Sequence, residues 1–330
     1  MSLYPRIVMV HRLLFTTIPA NPSGSFKYTK TFGSTSMDPA RAQPLRPDTM
    51  MWIASCTKLM TSISCMQLVE RGMVSLDEPV YKHIPELESF TVIKKIEQDG
   101  TPVEEKHTSP ITLRRLLTHT SGLAYDNMHP KTLAWLKYRK ASSSSGKILE
   151  RCSAPLVFEP GESWTYGCGI DFAGLLVERI TGLSLEEYMQ RNLWQPLGIK
   201  DMTFSLERHP DLAARRADMS LRDNSGKLHF TEKRFNVDGE GREWQDCFGG
   251  AGCWTNAEEY LKVIHGLLTD DQTEKILSKE SLKEFFRPQL SKACAAKMNS
   301  VLGNEAVSVV FCLLFDTDRS SSTTPWAAHL

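Results

Sequence analysis

Ala54-Ser55-Cys56-Thr57-Lys58-Leu59 opens the most telling stretch of the chain. Behind it Leu59, Met60, Ile63, Met66 and Val69 fall close to helical spacing, and Gly72 supplies a stop, so a helix is expected over Thr57 to Arg71. Ser55 then stands where a helix begins, near unpaired backbone N–H groups and the positive end of the helix dipole. Lys58 follows one turn later on the same face, within reach of Ser55. A serine hydroxyl is a poor nucleophile until a neighbouring base takes its proton. A lysine partly withdrawn from water can be that base, or can lower the pKa of another. Spacing alone is weak evidence. The same Ser-x-x-Lys recurs at Ser144 to Lys147 in a polyserine loop, and an N-cap serine followed by a solvated lysine is written with the same letters.

Outward from this helix the chain reads as mostly helical. Residues 27 to 32 alternate enough for a strand. Ser75-Leu76-Asp77-Glu78 has the form of a capping box, and residues 94 to 110 are a charged, polar excursion. Thr112 can cap a helix over Leu113 to Leu117, which runs into Thr118-His119-Thr120-Ser121-Gly122-Leu123. A Pro160-Gly161 turn precedes Trp164 to Gly169. Asp171 to Ile180 is an amphipathic helix stopped by Gly182, and Ser184-Leu185-Glu186-Glu187 is a second capping box. Residues 223 to 246 read as hairpins or a long loop. Thr255-Asn256-Ala257-Glu258 caps a helix reaching about Leu268, and helical signal resumes over Leu277 to Phe286. Nothing resembles alternating βα units.

Composition narrows the chemistry. The 330 residues carry 39 basic and 39 acidic side chains, so net charge gives no reason to expect nucleic acid or an anionic membrane as partner. No apolar run approaches the ~18 residues of a membrane span. The eight cysteines form no C-x-x-C, and with the histidines they show no zinc spacing. Free thiols in a reducing cytosol are the simpler expectation, so the protein is expected to be cytoplasmic. P-loop, dinucleotide-binding and nucleophile-elbow motifs are missing from the sequence.

The wider pattern gives the Ser-x-x-Lys its weight. Ala54 to Leu59, Leu68 to Val80 and Ile111 to Leu123, together with Pro160-Gly161-Glu162-Ser163-Trp164-Thr165-Tyr166-Gly167, Asp171-Phe172-Ala173-Gly174, Pro196-Leu197-Gly198-Ile199 and Gly249-Gly250-Ala251-Gly252, resemble the serine β-lactamase and penicillin-binding-protein superfamily. The likeness is greatest to its class C and esterase branch. Within that branch Leu206 to Asp218 and Asp246-Cys247-Phe248-Gly249-Gly250 are similar to the fungal acyltransferases of the lovastatin type.

The resemblance implies an α/β (α+β) fold, with an antiparallel sheet flanked by helices and a mostly helical region over roughly residues 75–245. It implies an acyltransferase domain over 23–297, an atypical N-terminal segment over 1–22 and an atypical tail over 298–330. The family nucleophile falls on Ser55, its lysine on Lys58 and its tyrosine on Tyr166. A tyrosine that works as a base near neutrality must have its pKa brought down about three units, ~4 kcal/mol, and a nearby cation is the physical means. The asparagine of the family's Y-x-N is replaced by Cys168, as in acyltransferases of this type, which weighs against lactamase activity. Tyr125 and Trp52 are candidate substrate-pocket residues, with Trp164 and Trp254 as further apolar walls; core packing is an equal reading for each tryptophan. His119 is expected to be structural.

The implied reaction is ping-pong transfer of an acyl group from a thioester, free or carried on a protein, to an alcohol of a polyketide-type secondary metabolite. No metal or organic cofactor is implied. Hydrolysis by an esterase or β-lactamase on the same residues is one alternative. The other is a non-catalytic remnant that binds a ligand or partner, because a K-T-G-like third motif is not found in the sequence and the likeness fades after Lys297. That fading is expected to reflect missing C-terminal strands of the central sheet, through a truncated or mis-spliced reading frame or a natural variant. One strand is expected over Val307 to Phe315, before a polar tail.

Overall fold

The computed structural model describes residues 15–17, 29–126, 128–141, 144–223, 225–231, 236–268 and 275–303. The expected strand at Val307 to Phe315, the tail beyond it, and Lys27 and Tyr28 lie outside these residues. Chain order begins β1 (Phe15–Thr17), β2 (Lys30–Phe32), β3 (Met51–Trp52), α1 (Thr57–Glu70), β4 (Thr91–Ile96), β5 (Pro102–Lys106), α2 (Leu113–Leu117), α3 (Pro130–Arg139) and α4 (Ile148–Arg151). It continues α5 (Gly169–Thr181), α6 (Leu185–Met189), β6 (Met202–Thr203), α7 (Pro210–Ala213), β7 (Met219–Arg222), β8 (Leu228–Thr231), β9 (Trp254–Thr255), α8 (Ala257–Leu268), α9 (Lys279–Phe286) and α10 (Lys292–Leu302).

Helix α1 runs through the middle of the core. Met60, Ile63, Cys65, Met66 and Leu68 are buried, and so are the polar Thr61, Ser64 and Gln67. A helix covered on nearly every side needs partners for its polar groups. Ser64 Oγ donates to the Met60 carbonyl at 2.9 Å, Thr61 Oγ1 to the Gly249 carbonyl at 2.7 Å, and Gln67 Nε2 to the carbonyls of Asn192 and Ile276 at 3.0 and 2.9 Å. Helix α5 lies against α1 and contributes the fully buried Phe172, Leu176 and Val177 to the same apolar cluster. Gly182, at φ 70°, closes α5 in the left-handed conformation that glycine adopts without steric cost.

Sheet structure is slight among the described residues. β3 and β6 both pair antiparallel with β9, giving the order β3-β9-β6, and β1 pairs with β2. The short central sheet matters because it delivers the chain to the start of α1. Mixed helices and antiparallel strands agree with the fold implied by the sequence.

Local expectations are met in part. Thr112 caps α2 by accepting from Arg115 N–H, and Ser184 and Glu187 form a complete capping box on α6. At α8 it is Asn256, not Thr255, whose side chain accepts from the Glu259 N–H, at 3.0 Å. The box at Ser75 makes only its Glu78-to-Ser75 half, at 3.0 Å, and starts no α-helix. Pro79 follows with ψ 133°, and a residue before proline is turned away from the helical region. A 3-10 turn over Val80–Lys82 takes its place. The excursion at 94–110 is largely a hairpin, β4 with β5, and β7 with β8 is a second one, so the stretch 75–245 is less purely helical than expected. Lys94, Lys95, Glu104, Glu105 and Lys106 are exposed along the first hairpin, while the adjacent Val92 and Ile93 are buried.

Phe172 has no solvent exposure and sits where α5 meets Phe90 edge-on. Phe172→Ala is expected to lower unfolding stability by about 3–5 kcal/mol, read from denaturant titration.

Candidate active site

The sheet and α1 are joined by a tight segment. A 3-10 turn over Ala54–Cys56 precedes the helix proper, and Ala54 has φ 46°. Left-handed backbone in a non-glycine residue costs roughly 1–2 kcal/mol, so the surrounding contacts must hold it. They do so at three points. Thr57 Oγ1 donates to the Ala54 carbonyl at 2.7 Å, Cys253 N–H donates to Thr57 Oγ1 at 3.1 Å, and Tyr260 Oη donates to the Cys56 carbonyl at 2.9 Å. Ser55 is thereby fixed at the mouth of α1.

Lys58 extends from the first turn of α1 and donates to Ser55 Oγ at 3.3 Å, the Gly250 carbonyl at 2.7 Å and Tyr125 Oη at 3.4 Å. Its ammonium also lies 4.6 Å from the centroid of the Tyr166 ring. Tyr166 Oη reaches Ser55 Oγ at 2.6 Å. The three residues expected to act together therefore meet at one oxygen, from positions 3 and 111 residues distant in sequence.

Tyr166 is held by its neighbours. Gly167 follows it, and a Cβ there would meet the Leu123 carbonyl oxygen at 1.9 Å, so only glycine lets the two segments approach. The His119 ring packs on Tyr166 at 4.7 Å and on Trp164 at 5.9 Å, and its Nδ1 accepts from Gly167 N–H at 3.3 Å. Burial first, and the Lys58 charge second, press the His119 pKa down to about 3. A neutral imidazole accepting from backbone fits the structural role expected for it. Trp164 packs with Cys294 and Met298 of α10, with Tyr166 against the same cluster.

The other expected residues fall as follows. Tyr125 is close to the constellation, but its hydroxyl points inward. It donates to Asp171 Oδ2 at 3.0 Å, and burial, then the Asp171 charge, raise its pKa well above the usual tyrosine value. Trp52 packs with Met50, Leu206, Leu212 and Trp254, and its Nε1 donates to the Ala251 carbonyl at 2.5 Å. Trp254, like Trp164, is a core residue. Asp171 is the residue that sequence reasoning passed over. It was visible only as part of a motif, since its partners Tyr125 and Gly250 come from distant segments.

Among the described residues no group of three or more His, Cys, Asp or Glu side chains is arranged to hold a metal ion. No helix there is long and apolar enough to cross a membrane.

Fold and site together define a protein with a serine at a helix mouth, bonded to both a lysine and a tyrosine. Residues 23–298 match the Beta-lactamase family, and the chain belongs to it. It is 38% identical over 283 residues to ML-236A carboxylate methylbutanoyltransferase of Penicillium citrinum, covering 84% of this chain and 66% of that one. It is 33% identical to lovastatin esterase of Penicillium rubens, covering 85% and 70%. The structure superposes on a mutant simvastatin synthase from Aspergillus terreus with a TM-score of 0.79 and 40% identity, covering 88% of this chain and 68% of the other. The chain thus spans about two thirds of the length of these proteins.

The His119 geometry has a pH consequence. Unfolding restores the ordinary imidazole value of 6.5, so between that and about 3 the unfolded chain binds a proton that the folded chain refuses. The stabilising effect of burying a neutral ring is complete above pH 6.5 and is lost as pH falls through this window. His119→Gln is expected to flatten the fall in melting temperature between pH 7 and pH 4, measured by calorimetry in parallel with the parent.

Proposed function

We propose that the protein is a serine acyltransferase that moves a short acyl group from a thioester to an alcohol of a polyketide-type metabolite. The observation that carries this reading is the meeting of Lys58 Nζ and Tyr166 Oη at Ser55 Oγ, at 3.3 and 2.6 Å. Membership of the family and the relatives' names support the choice of reaction.

In the proposed course Ser55 Oγ attacks the thioester carbonyl while its proton passes to Tyr166, over whose ring the Lys58 ammonium lies. The tetrahedral intermediate collapses, the C–S bond breaks, and the thiolate takes the proton from Tyr166. Acyl-Ser55 remains. The acceptor hydroxyl then attacks its ester carbonyl, yielding its proton to Tyr166, which returns it to the departing Ser55 oxygen. Atoms and protons balance without a cofactor. The Ser55 backbone N–H, within the turn before α1, is the donor this reading assigns to the developing oxyanion, where each such donor is worth about 10²–10³ in rate. The donor is read as a thioester either free or carried on a protein. Location in a reducing cytosol is supported by the seven described cysteines, all of which are free thiols.

The lovastatin esterase relative favours a second reading, in which water replaces the alcohol at acyl-Ser55. Incubation with a methylbutanoyl thioester and monacolin J acid separates the two. The transferase reading predicts the acylated alcohol, together with an acyl mass increment on the Ser55 peptide. Release of free acid alone would establish the hydrolase. Ser55→Ala is expected to lower turnover at least about 10³-fold without loss of folding. A folded parent chain that takes no label on Ser55 from either a thioester or a fluorophosphonate would sink both readings.

A further inference from the structure

Asp171 is 1% exposed, and its carboxylate is spent on two contacts. Oδ1 accepts the Gly250 N–H at 2.7 Å, and Oδ2 accepts the Tyr125 hydroxyl at 3.0 Å. Both partners face Lys58: the Gly250 carbonyl and Tyr125 Oη each take one of its ammonium hydrogens, at 2.7 and 3.4 Å. One buried carboxylate therefore grips the two groups that, with Ser55, hold the lysine. Close packing fixes this arrangement, since a Cβ on Gly250 would lie 2.6 Å from Tyr125 Oη and 2.7 Å from Asp171 Oδ2.

We propose that Asp171 is a positioning residue for Lys58. It orients the ammonium toward Ser55 through Tyr125 and the Gly250 peptide, and its carboxylate stands as the counter-charge to that ammonium. The proposal rests on Ser55 and Lys58 acting as described above, and it concerns a residue that touches neither the nucleophile nor the acyl group. At Cys168, where the family pattern has its Y-x-N asparagine, the thiol instead faces the Ala124 carbonyl at 3.9 Å. The tie from Asp171 through Tyr125 supplies a side-chain anchor for the lysine.

The electrostatic surroundings are few and can be named. Burial raises the Asp171 pKa above the ordinary carboxylate value, and Lys58, the Gly250 N–H, the Tyr125 hydroxyl and Arg151 offset only part of that rise. Tyr125 faces Asp171, Tyr166, Cys168 and Cys152. Lys58 faces Asp171, Cys56, Tyr125, Tyr166 and the neutral His119. Loss of an anion beside a cation lowers the cation's pKa, and for a close pair the shift is about one to three units. The carboxylate's removal is thus expected to move the Lys58 titration toward acid. A purely architectural role for Asp171 would leave that titration where it is.

Trace acetylation with acetic anhydride across pH 6–11, read on the Lys58 peptide by mass spectrometry, follows the titration whether or not Ser55 reacts. Asp171→Asn keeps the size and one acceptor but removes the charge. The proposal predicts a midpoint for Lys58 lower by about one pH unit or more, with Ser55 phosphonylation by a fluorophosphonate slowed about tenfold. An unchanged midpoint in a folded Asp171→Asn protein overturns it. Tyr125→Phe leaves the carboxylate and cuts one tie, and so serves if Asp171→Asn does not fold. The expectation is a three- to tenfold slower phosphonylation, and an unaltered rate overturns the proposal. A parent protein whose Ser55 takes no phosphonate contradicts the functional reading, while the Lys58 midpoint still judges Asp171.

Discussion

A partly buried ammonium group is the constraint around which the structure is arranged. Lys58 leaves the first turn of α1 and enters a space bounded by Ser55, the Gly250 carbonyl, Tyr125 and the Tyr166 ring. Withdrawing a cation from water is costly unless acceptors and a counter-charge replace its hydration. The replacements come from four separate parts of the chain, so the fold must bring α1, the segment after α2, the start of α5 and the Gly249–Gly252 loop into contact. Helix α1 is buried accordingly, and one of its polar residues, Thr61, bonds directly to the backbone of that loop at Gly249.

The same constraint sets the position of Ser55. The chain reaches Ser55 through a left-handed Ala54 and a 3-10 turn before the helix begins, which turns the serine hydroxyl toward both Lys58 and Tyr166. Tyr166 is brought up from the opposite side by a glycine that tolerates the Leu123 backbone and by the neutral His119 ring. Each of these residues is small, strained or buried for a reason that lies in the site.

Much of this was legible in the sequence. Ser55, Lys58 and Tyr166 were singled out by the family resemblance and not by spacing alone, while the helices over Thr57–Glu70 and Gly169–Thr181 follow from apolar periodicity and a closing glycine. What was missed depends on contacts between distant segments. Asp171 acts on Tyr125 and Gly250, 46 and 79 residues away, and nothing local marks it apart from its helix neighbours. The hairpin over Thr91–Lys106 was hidden because Lys94, Lys95, Glu104 and Glu105 dominate its composition, while only the adjacent Val92 and Ile93 are buried along its strands, with no alternation to mark them. The half-formed box at Ser75 reads as a helix start until Pro79 is weighed.

The account stands on acyl-Ser55 as an intermediate that prefers an alcohol to water. The most direct measurement is a single-turnover experiment in which the protein is charged with a thioester, freed of excess donor and then mixed with acceptor alcohol. The account predicts an acyl group on Ser55 that survives in buffer and leaves quantitatively as the ester when alcohol is added. Rapid loss to free acid, unaffected by the alcohol, contradicts it.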